Sequence, residues 1–219
     1  MKWKTRGILF DFDGVIADSM GQHLEAWQHS FQSEGITIDD IEFYKLEGRG
    51  VEGVVKALAA KYTLSEERMQ TIMKRKMKYY NDRMRITFFD GLHELLASLK
   101  KTEIRLAVVT GGTHDRIDHV IEKYFPDTFS AIVTSDDVRE TKPSPEPYLT
   151  GAKRIGLEPE DCIVIENAPL GITAAVKAGI RVIAIETTLP ASYLNEADII
   201  LKSFYDIQQL LKSDNREMI

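Results

Sequence analysis

The sequence predicts an α/β fold, in which a doubly wound, Rossmann-like parallel sheet carries an inserted small α-helical domain. Short apolar runs rich in β-branched residues recur along the chain, and they alternate with segments whose apolar residues follow helical spacing. Strands that alternate with helices form right-handed βαβ crossovers, which produce a parallel sheet. One interval between strands is far longer than a crossover needs, and this interval indicates the insertion.

The strands are predicted at six apolar runs, which occupy positions 7–10, 105–109, 131–134, 162–165, 182–185 and 199–201. The first run is apolar throughout, as expected for a strand that is buried on both faces of a parallel sheet. Helical spacing between the runs is shown by two sets of residues, Leu92, Leu95, Leu96 and Leu99 and, later, Ile172, Ala175, Val176 and Ala178.

The insertion is predicted between Phe10 and Arg105, where about ninety residues replace the roughly thirty of a simple crossover. It carries three apolar helical faces, formed by Leu24, Trp27 and Phe31; by Val51, Val54, Val55, Leu58 and Tyr62; and by Met69, Ile72, Met73, Met77 and Tyr80. Ser65, followed by two glutamates, is typical of an N-cap. We therefore assign residues 1–17 and 86–219 to an α/β core domain and residues 18–85 to a helical domain that can act as a lid.

Composition narrows the function classes. Of the 219 residues, 43% are hydrophobic and 28% charged, which is ordinary for a soluble globular protein. The net charge of −6 argues against nucleic acid as a partner. No apolar run approaches the roughly 20 residues that span a bilayer, so no membrane partner is expected. Residues 1–6 are basic but lead straight into a strand, which makes a poor signal peptide.

The single cysteine, Cys162, lies inside an apolar run, and it cannot form an internal disulfide. We interpret it as a small buried residue rather than a reactive thiol. These features make the cytoplasm the expected compartment. We expect the protein to be a monomer or a weak homodimer.

Two carboxylates, Asp11 and Asp13, directly follow the first predicted strand. Alternate side chains of an extended segment share a face, so the two can lean toward one point at the carboxyl end of the sheet, where open α/β sheets bind ligands. Paired acids there suit Mg²⁺-assisted chemistry on a phosphoryl group, with one carboxylate attacking and the other handling a proton. The alternative is a simple turn at Asp13-Gly14, with Asp11 capping the next helix.

The second strand ends in Thr110, Gly111 and Gly112, which offer a hydroxyl and unobstructed backbone N–H groups. Such a turn before a helix favours the binding of an anion. Thr-Gly-Gly is also a common turn, and that alternative stays open.

Two further strand ends carry polar residues. Pro143 biases Lys142 toward extended geometry, which would aim the lysine at a phosphate; the alternative is a solvated lysine beside a helix start. Glu166 and Asn167 follow the fourth strand and supply oxygen ligands suited to Mg²⁺. Asn167 could instead cap the next helix, and capping is compatible with a metal contact.

Taken in order, these four segments resemble the haloacid dehalogenase-like hydrolase superfamily. The resemblance runs from Gly7 to about Leu201. It is carried by strand-Asp-x-Asp-Gly, the Thr110 turn, Lys-Pro-x-Pro-x-x-Tyr from Lys142, and the acidic strand end with Gly-Ile-x-Ala-Ala-x-x-Ala-Gly from Gly171. The insertion looks like the small helical cap domain of the subgroup with phosphoglycolate-type phosphatases and β-phosphoglucomutase.

The resemblance implies a role for each core residue. Asp11 matches a nucleophile that forms an aspartyl-phosphate and also contacts Mg²⁺. Asp13 matches a general acid and base whose backbone carbonyl reaches the metal. Thr110, with the N–H groups of Gly111 and Gly112, matches the phosphate-binding turn. Lys142 matches the residue that neutralises charge on the phosphoryl group.

Glu166 and Asn167 match the remaining metal ligands of the family. Asn167 departs from the family pattern, which carries an aspartate here. The missing charge predicts weaker metal affinity, and Asn167→Asp is then expected to lower the Mg²⁺ concentration needed for activity.

The helical domain is expected to select the substrate through three residues. Arg49, in a glycine-flanked loop, could hold a carboxylate or second phosphate, or it could be an exposed arginine of an ordinary turn. His23 could assist proton handling, or it could pack on a helix face. Lys76 could point into the cleft, although the basic run 74–76 is also typical of a solvated helix face.

We therefore predict a Mg²⁺-dependent phosphatase that hydrolyses a small phosphorylated metabolite through an aspartyl-phosphate. The alternative is a hexose-phosphate mutase resembling β-phosphoglucomutase. Glu47 occupies a place where the mutase resembles Lys followed shortly by Arg, and its negative charge suits a bisphosphorylated sugar poorly. A dehalogenase or phosphonatase usually lacks an acid at the position of Asp13, and a non-enzymatic binding module is the remaining class.

Overall fold

A parallel sheet forms the centre of the protein in the computed structural model, which describes residues 5–214. Within these residues the sheet has six strands, β1 (Gly7–Phe10), β2 (Arg105–Val109), β3 (Ala131–Val133), β4 (Cys162–Glu166), β5 (Arg181–Ile185) and β6 (Ile199–Leu201). Their spatial order is β3-β2-β1-β4-β5-β6, and every neighbouring pair is parallel. The doubly wound α/β fold is confirmed.

The six predicted strands are confirmed with shifts of one residue at three of their ends. β3 ends at Val133, β4 extends to Glu166, and β5 begins at Arg181. The central strand β1 is buried at all four positions because β2 and β4 pair with its two edges. This burial is the physical reason for its uninterrupted apolar sequence.

The helices of the described part of the chain are α1 (Met20–Gln32), α2 (Asp40–Tyr44), α3 (Gly50–Tyr62), α4 (Glu66–Arg83), α5 (Leu92–Leu99), α6 (His114–Tyr124), α7 (Glu146–Arg154), α8 (Pro169–Lys177) and α9 (Phe204–Asp214). Two apolar clusters cover the two faces of the sheet. Ile8 and Phe10 of β1 belong to one cluster and Leu9 to the other, since alternate strand residues point to opposite faces.

Helices α1 to α4 lie between β1 and β2 in the chain and pack around an apolar cluster of their own. Trp27, Phe31, Leu58 and Ile72 are among its buried members. The three predicted apolar faces correspond to α1, α3 and α4. Helix α2 was not predicted, because five residues are too few to show a helical period. The division into core and helical domains at 18–85 stays a prediction.

The two chain segments that enter and leave the inserted helices run side by side. Ala17 forms isolated bridges to Asp13 and to Phe88, and the Asp18 N–H donates to the Thr87 carbonyl at 2.9 Å. This pairing holds the inserted helices over the carboxyl ends of the strands, beside Asp11 and Asp13.

Two observations bear on the chain's termini and on membranes. Residues 1–4 of the basic segment considered for a signal peptide lie outside the described residues. Within positions 5–214, none of the helices combines the length and the apolarity that crossing a bilayer requires.

Candidate active site

The polar residues predicted at four strand ends converge at the carboxyl edge of the sheet. Asp11 directly follows β1, Thr110 directly follows β2, and Glu166 is the last residue of β4. Lys142 lies on the segment before α7 and reaches the same point. β1 lies between β2 and β4, so these strand ends border the crevice where the strand order reverses.

Lys142 lies at the centre of the site, and only 2% of it is exposed. Its ammonium donates to Asp11 Oδ1 at 2.6 Å, to Glu166 Oε1 at 2.7 Å and to the Val109 carbonyl at 3.1 Å. Burial alone lowers the pKa of a lysine, but Asp11 and Glu166 outweigh it and hold the pKa of Lys142 above its usual value. The lysine is therefore charged, and its alternative interpretation as a solvated residue is wrong.

Glu166 holds Lys142 in place and also binds the backbone just before α8. Its Oε1 accepts from the Tyr148 hydroxyl at 2.8 Å, and its Oε2 accepts from the backbone N–H groups of Asn167 and Ala168. A Cβ atom added to Gly171 would lie 1.6 Å from Glu166 Oε1. The carboxylate thus takes the place of a side chain at the start of α8. Ala168 is the N-cap of α8 and no side chain caps it, so the alternative of Asn167 as a helix cap is wrong.

Asp11 is buried in an environment with an excess of negative charge. Burial raises the pKa of its carboxyl, Lys142 lowers it, and Glu166 raises it again, with the result near 7. One lysine does not balance Asp11, Glu166 and the nearby Glu47. A further cation is therefore electrostatically favourable at this point.

Glu47 belongs to this cluster, although the sequence analysis did not place it in the site. It is 7% exposed and accepts from Asn167 Nδ2, which lies 3.2 Å from both carboxylate oxygens. Burial, followed by Asp11 and Glu166, raises the pKa of Glu47 well above its ordinary value. An acidic residue in an otherwise glycine-rich loop was the signal that could have identified it.

The oxygen atoms of the site decide whether the predicted Mg²⁺ fits here. Asn167 Nδ2 also donates to Thr188 Oγ1 at 2.8 Å, while its Oδ1 is buried and has no hydrogen-bond partner. Within the described chain, no three His, Cys, Asp or Glu side chains form a ready-made cage. Mg²⁺ usually needs only one or two carboxylates besides water and substrate oxygens, so Asp11 and Asn167 Oδ1 fit it.

Asp13 is held by side chains that the sequence analysis missed. Ser19 donates to its Oδ1 at 2.6 Å, and Arg116 of α6 donates to both of its oxygens. Burial acts to raise the pKa of Asp13, but Arg116 and then His23 outweigh it and hold the pKa well below the usual range. Asp13 is therefore ionised in this arrangement.

His23 and Lys76 continue this network into the inserted helices. His23 Nε2 lies 3.2 Å from Asp13 Oδ1, and its Nδ1 lies 3.0 Å from Lys76 Nζ. The His23 ring stacks on Tyr80 with centroids 4.1 Å apart. Burial, with a smaller contribution from Arg116, lowers the pKa of Lys76 to about 7. Burial, with a smaller contribution from Lys76, lowers the pKa of His23 to about 4. Lys74 and Arg75 are exposed, but Lys76 is buried, so its interpretation as part of a solvated face is wrong.

The predicted phosphate turn lies against the glycine-flanked loop of the insertion. Thr110 Oγ1 accepts from the Gly112 N–H at 3.0 Å. A Cβ atom on Gly111 would lie 3.0 Å from the Gly48 carbonyl oxygen and 3.1 Å from the Gly50 nitrogen, so the two backbones are in close contact. The inserted helices therefore cover the strand ends in this structure.

A cavity of about 640 Å³ lies between the strand ends and the inserted helices. Most of the predicted site residues line it, and Lys142, Glu166 and Asn167 lie buried behind Asp11 and Glu47. Arg49 also lines the cavity, and its buried Nε has no hydrogen-bond partner within the described residues. The sequence therefore located a real convergence of residues, whose individual roles stay predictions.

Comparison with known proteins agrees with this geometry. A family model described as haloacid dehalogenase-like hydrolase matches residues 8–185, which include every predicted site residue. The chain belongs to the haloacid dehalogenase-like hydrolase family. The resemblance inferred from the four strand ends is thereby confirmed.

Individual members of the haloacid dehalogenase-like hydrolase family match nearly the whole chain. Validoxylamine A 7'-phosphate phosphatase of Streptomyces hygroscopicus subsp. limoneus is 31% identical, over 91% of this chain and 94% of that protein. Hexitol phosphatase A of Escherichia coli is also 31% identical, over 99% of both chains. A solved structure from Bacteroides vulgatus, provisionally assigned as a β-phosphoglucomutase, is 33% identical, with a TM-score of 0.88 over 96% of this chain and 89% of that one.

Proposed function

We propose that this protein is a Mg²⁺-dependent phosphatase that hydrolyses a small phosphorylated metabolite, a sugar phosphate or a similar phosphomonoester. The observation that carries the proposal is the buried Asp11–Lys142–Glu166 cluster beside the Thr110–Gly112 turn. Two relatives that match nearly the full chain are named as a validoxylamine A 7'-phosphate phosphatase and a hexitol phosphatase, which supports this substrate class.

The first step follows from the surroundings of Asp11. Lys142 binds Asp11 Oδ1, and the carboxylate attacks phosphorus through its other oxygen, Oδ2, to form an aspartyl-phosphate. The Lys142 charge and the donors at Thr110, Gly111 and Gly112 stabilise the negative charge on the transferred oxygens. Asp11 and Asn167 would hold Mg²⁺, which would supply further positive charge to the reaction when bound.

Asp13 is proposed to handle the proton. The ionised form that Arg116 holds is the resting form, and Asp13 must take up a proton before the first step. Protonated Asp13 then gives that proton to the leaving oxygen, and the carboxylate so formed takes a proton from the water that attacks the aspartyl-phosphate in the second step, which restores the acid. Ser19 and His23 contact its Oδ1 and fix the orientation of the carboxyl group.

Replacement of Asp11 tests the proposed nucleophile. We expect Asp11→Asn to reduce phosphate release from sugar and hexitol phosphates by about three orders of magnitude or more, since an amide does not attack phosphorus. Mass spectrometry of wild-type protein quenched during turnover should show a phosphoryl group on Asp11. Asp18→Asn, at an exposed position nearby, is the matched control. Normal turnover by Asp11→Asn would contradict the mechanism.

A mutase is the second candidate, because β-phosphoglucomutase of Bacillus subtilis is 28% identical over 92% of this chain. The buried Glu47 offers no positive charge to a second phosphate beside the site, which disfavours a bisphosphorylated sugar. Incubation with β-glucose 1-phosphate and a bisphosphate primer separates the two functions. Inorganic phosphate as the product supports the phosphatase, and an isomerised sugar phosphate supports the mutase.

A further inference from the structure

Arg116 occupies both oxygens of the proposed acid and base. Its Nη1 donates to Asp13 Oδ1 at 2.8 Å, and its Nη2 pairs with Asp13 Oδ2. Oδ1 also contacts Ser19 and His23. Oδ1 is thus engaged three times and Oδ2 holds the guanidinium, so Arg116 competes with a leaving oxygen or a water molecule for the Asp13 carboxylate.

The same guanidinium lies against the phosphate turn. A Cβ atom added to Gly112 would lie 2.6 Å from Arg116 Nη2. The guanidinium thus touches the acid on one side and the backbone of the proposed anion site on the other. Its side chain is 14% exposed and lines the cavity, so a ligand there can reach it.

Further contacts hold Arg116 between the core and the inserted helices. Nη1 donates to the Tyr80 hydroxyl at 3.2 Å, and the guanidinium carbon lies 5.4 Å from the centroid of the Phe12 ring. Arginine binds carboxylates and phosphates with the same planar, bidentate geometry, so it can exchange one for the other.

We propose that Arg116 exchanges partners when substrate binds: it leaves Asp13 for the phosphoryl group at the Thr110–Gly112 turn, and so frees the acid where it is needed. The inference rests on the proposed function, since it takes the phosphate site from there. Arg116 is then a substrate-binding residue whose resting partner is Asp13. Through this exchange, binding of the phosphoryl group releases Asp13 from Arg116.

Binding of inorganic phosphate in the presence of Mg²⁺, measured by isothermal titration calorimetry, tests the exchange. Because Asp13 competes with phosphate for Arg116, Asp13→Asn should tighten phosphate binding about fivefold or more, and Arg116→Gln should weaken it about tenfold. In the Arg116→Gln background, Asp13→Asn should tighten phosphate binding less than about twofold, because Arg116, for which Asp13 and phosphate compete, is no longer present.

A general charge effect gives a different result. If Asp13 merely repels phosphate, Asp13→Asn tightens binding at least as much in the Arg116→Gln background as in the wild type, and the proposal is overturned. Wild-type protein that binds no phosphate overturns the proposed function as well, so the two failures are distinguishable. Arg139→Gln, at an exposed arginine that also lines the cavity, measures the effect of losing one positive charge away from Asp13.

A spectroscopic measurement covers the case in which Arg116→Gln does not fold. Arg116→Lys keeps the positive charge but lacks the planar guanidinium group. In NMR spectra of 15N-arginine-labelled protein, the signal that this variant loses is that of the Arg116 side chain. Phosphate should shift that signal in the wild type. A signal that stays at the same position while phosphate saturates the protein overturns the proposal.

Discussion

The two buried lysines of the site have opposite electrostatic surroundings. Lys142 contacts two carboxylates, and they hold its pKa above the usual value. Lys76 contacts the His23 ring, and burial, with a smaller contribution from Arg116, lowers its pKa to about 7. The first lysine stabilises the folded state as a cation, whereas the second is costly to bury in its charged form.

Lys76→Met tests this cost. The folded-state pKa of about 7 lies below the ordinary 10.5, so the unfolded chain binds the proton more tightly, and this group makes stability rise with pH across that window. Each pKa unit corresponds to about 1.4 kcal/mol. Lys76→Met should therefore raise the free energy of unfolding in urea most at or below pH 7, with the gain declining toward pH 10.

The control for this prediction is Lys74→Met, on the same helix at an exposed position. It should change the free energy of unfolding by less than about 0.5 kcal/mol at every pH. A gain from Lys76→Met that is independent of pH would show that packing, rather than desolvation of the ammonium, decides the result.

The asparagine at position 167 is explained by its neighbour Glu47. Asn167 Nδ2 is 3.2 Å from the Glu47 carboxylate oxygens, where an aspartate would offer only a second negative charge. The expectation that Asn167→Asp lowers the Mg²⁺ requirement therefore meets an opposing effect, since the substitution also breaks the contact with the loop that carries Glu47.

At the scale of elements, the start of α8 depends on the absence of a side chain at Gly171. Glu166 fills that space while it binds Lys142, Tyr148 and two backbone N–H groups. The glycine within this helix is thus required by the site rather than by backbone conformation.

Two helical glycines give a matched comparison. Gly171→Ala should lower the free energy of unfolding by about 2 kcal/mol or more and displace Lys142, because its Cβ overlaps Glu166. Gly21→Ala, in α1, meets no atom within 4 Å and should raise it by about 0.5–1 kcal/mol. Chemical denaturation measures both. If the two substitutions changed the free energy of unfolding equally, Glu166 would have to move away from the new Cβ atom at no cost, which would contradict the prediction.

At the scale of the whole molecule, the inserted helices close over the sheet through backbone contacts. The loop around Gly48 and Gly50 lies on Gly111, where there is no room for a side chain. In this arrangement Glu47 lies beside Asn167 and His23 lies beside Asp13, so the site is complete only when the helices are seated. The cytoplasmic compartment and the monomer or weak homodimer stay predictions, and sedimentation velocity tests the second.

Gly111→Ala tests this closure. Its Cβ would approach two backbone atoms of the loop to about 3 Å, so the inserted helices should move outward. Small-angle X-ray scattering should show a larger radius of gyration, and turnover should fall. Gly112→Ala is the comparison, because the three atoms nearest to its Cβ belong to the side chains of Arg116 and Ile117, which can shift. An unchanged radius for Gly111→Ala would contradict a closure fixed by this contact.

The sequence by itself determined the strands, the insertion and the convergence of Asp11, Thr110, Lys142 and Glu166. Local apolar periodicity reports burial, and consecutive parallel strands bring their carboxyl ends to one edge whatever the details of packing. Only the tertiary structure decided the pairings of Arg116 with Asp13 and of Glu47 with Asn167, which join residues 103 and 120 positions apart. Such pairings depend on how the inserted helices are seated on the sheet, and a one-dimensional pattern does not carry that information.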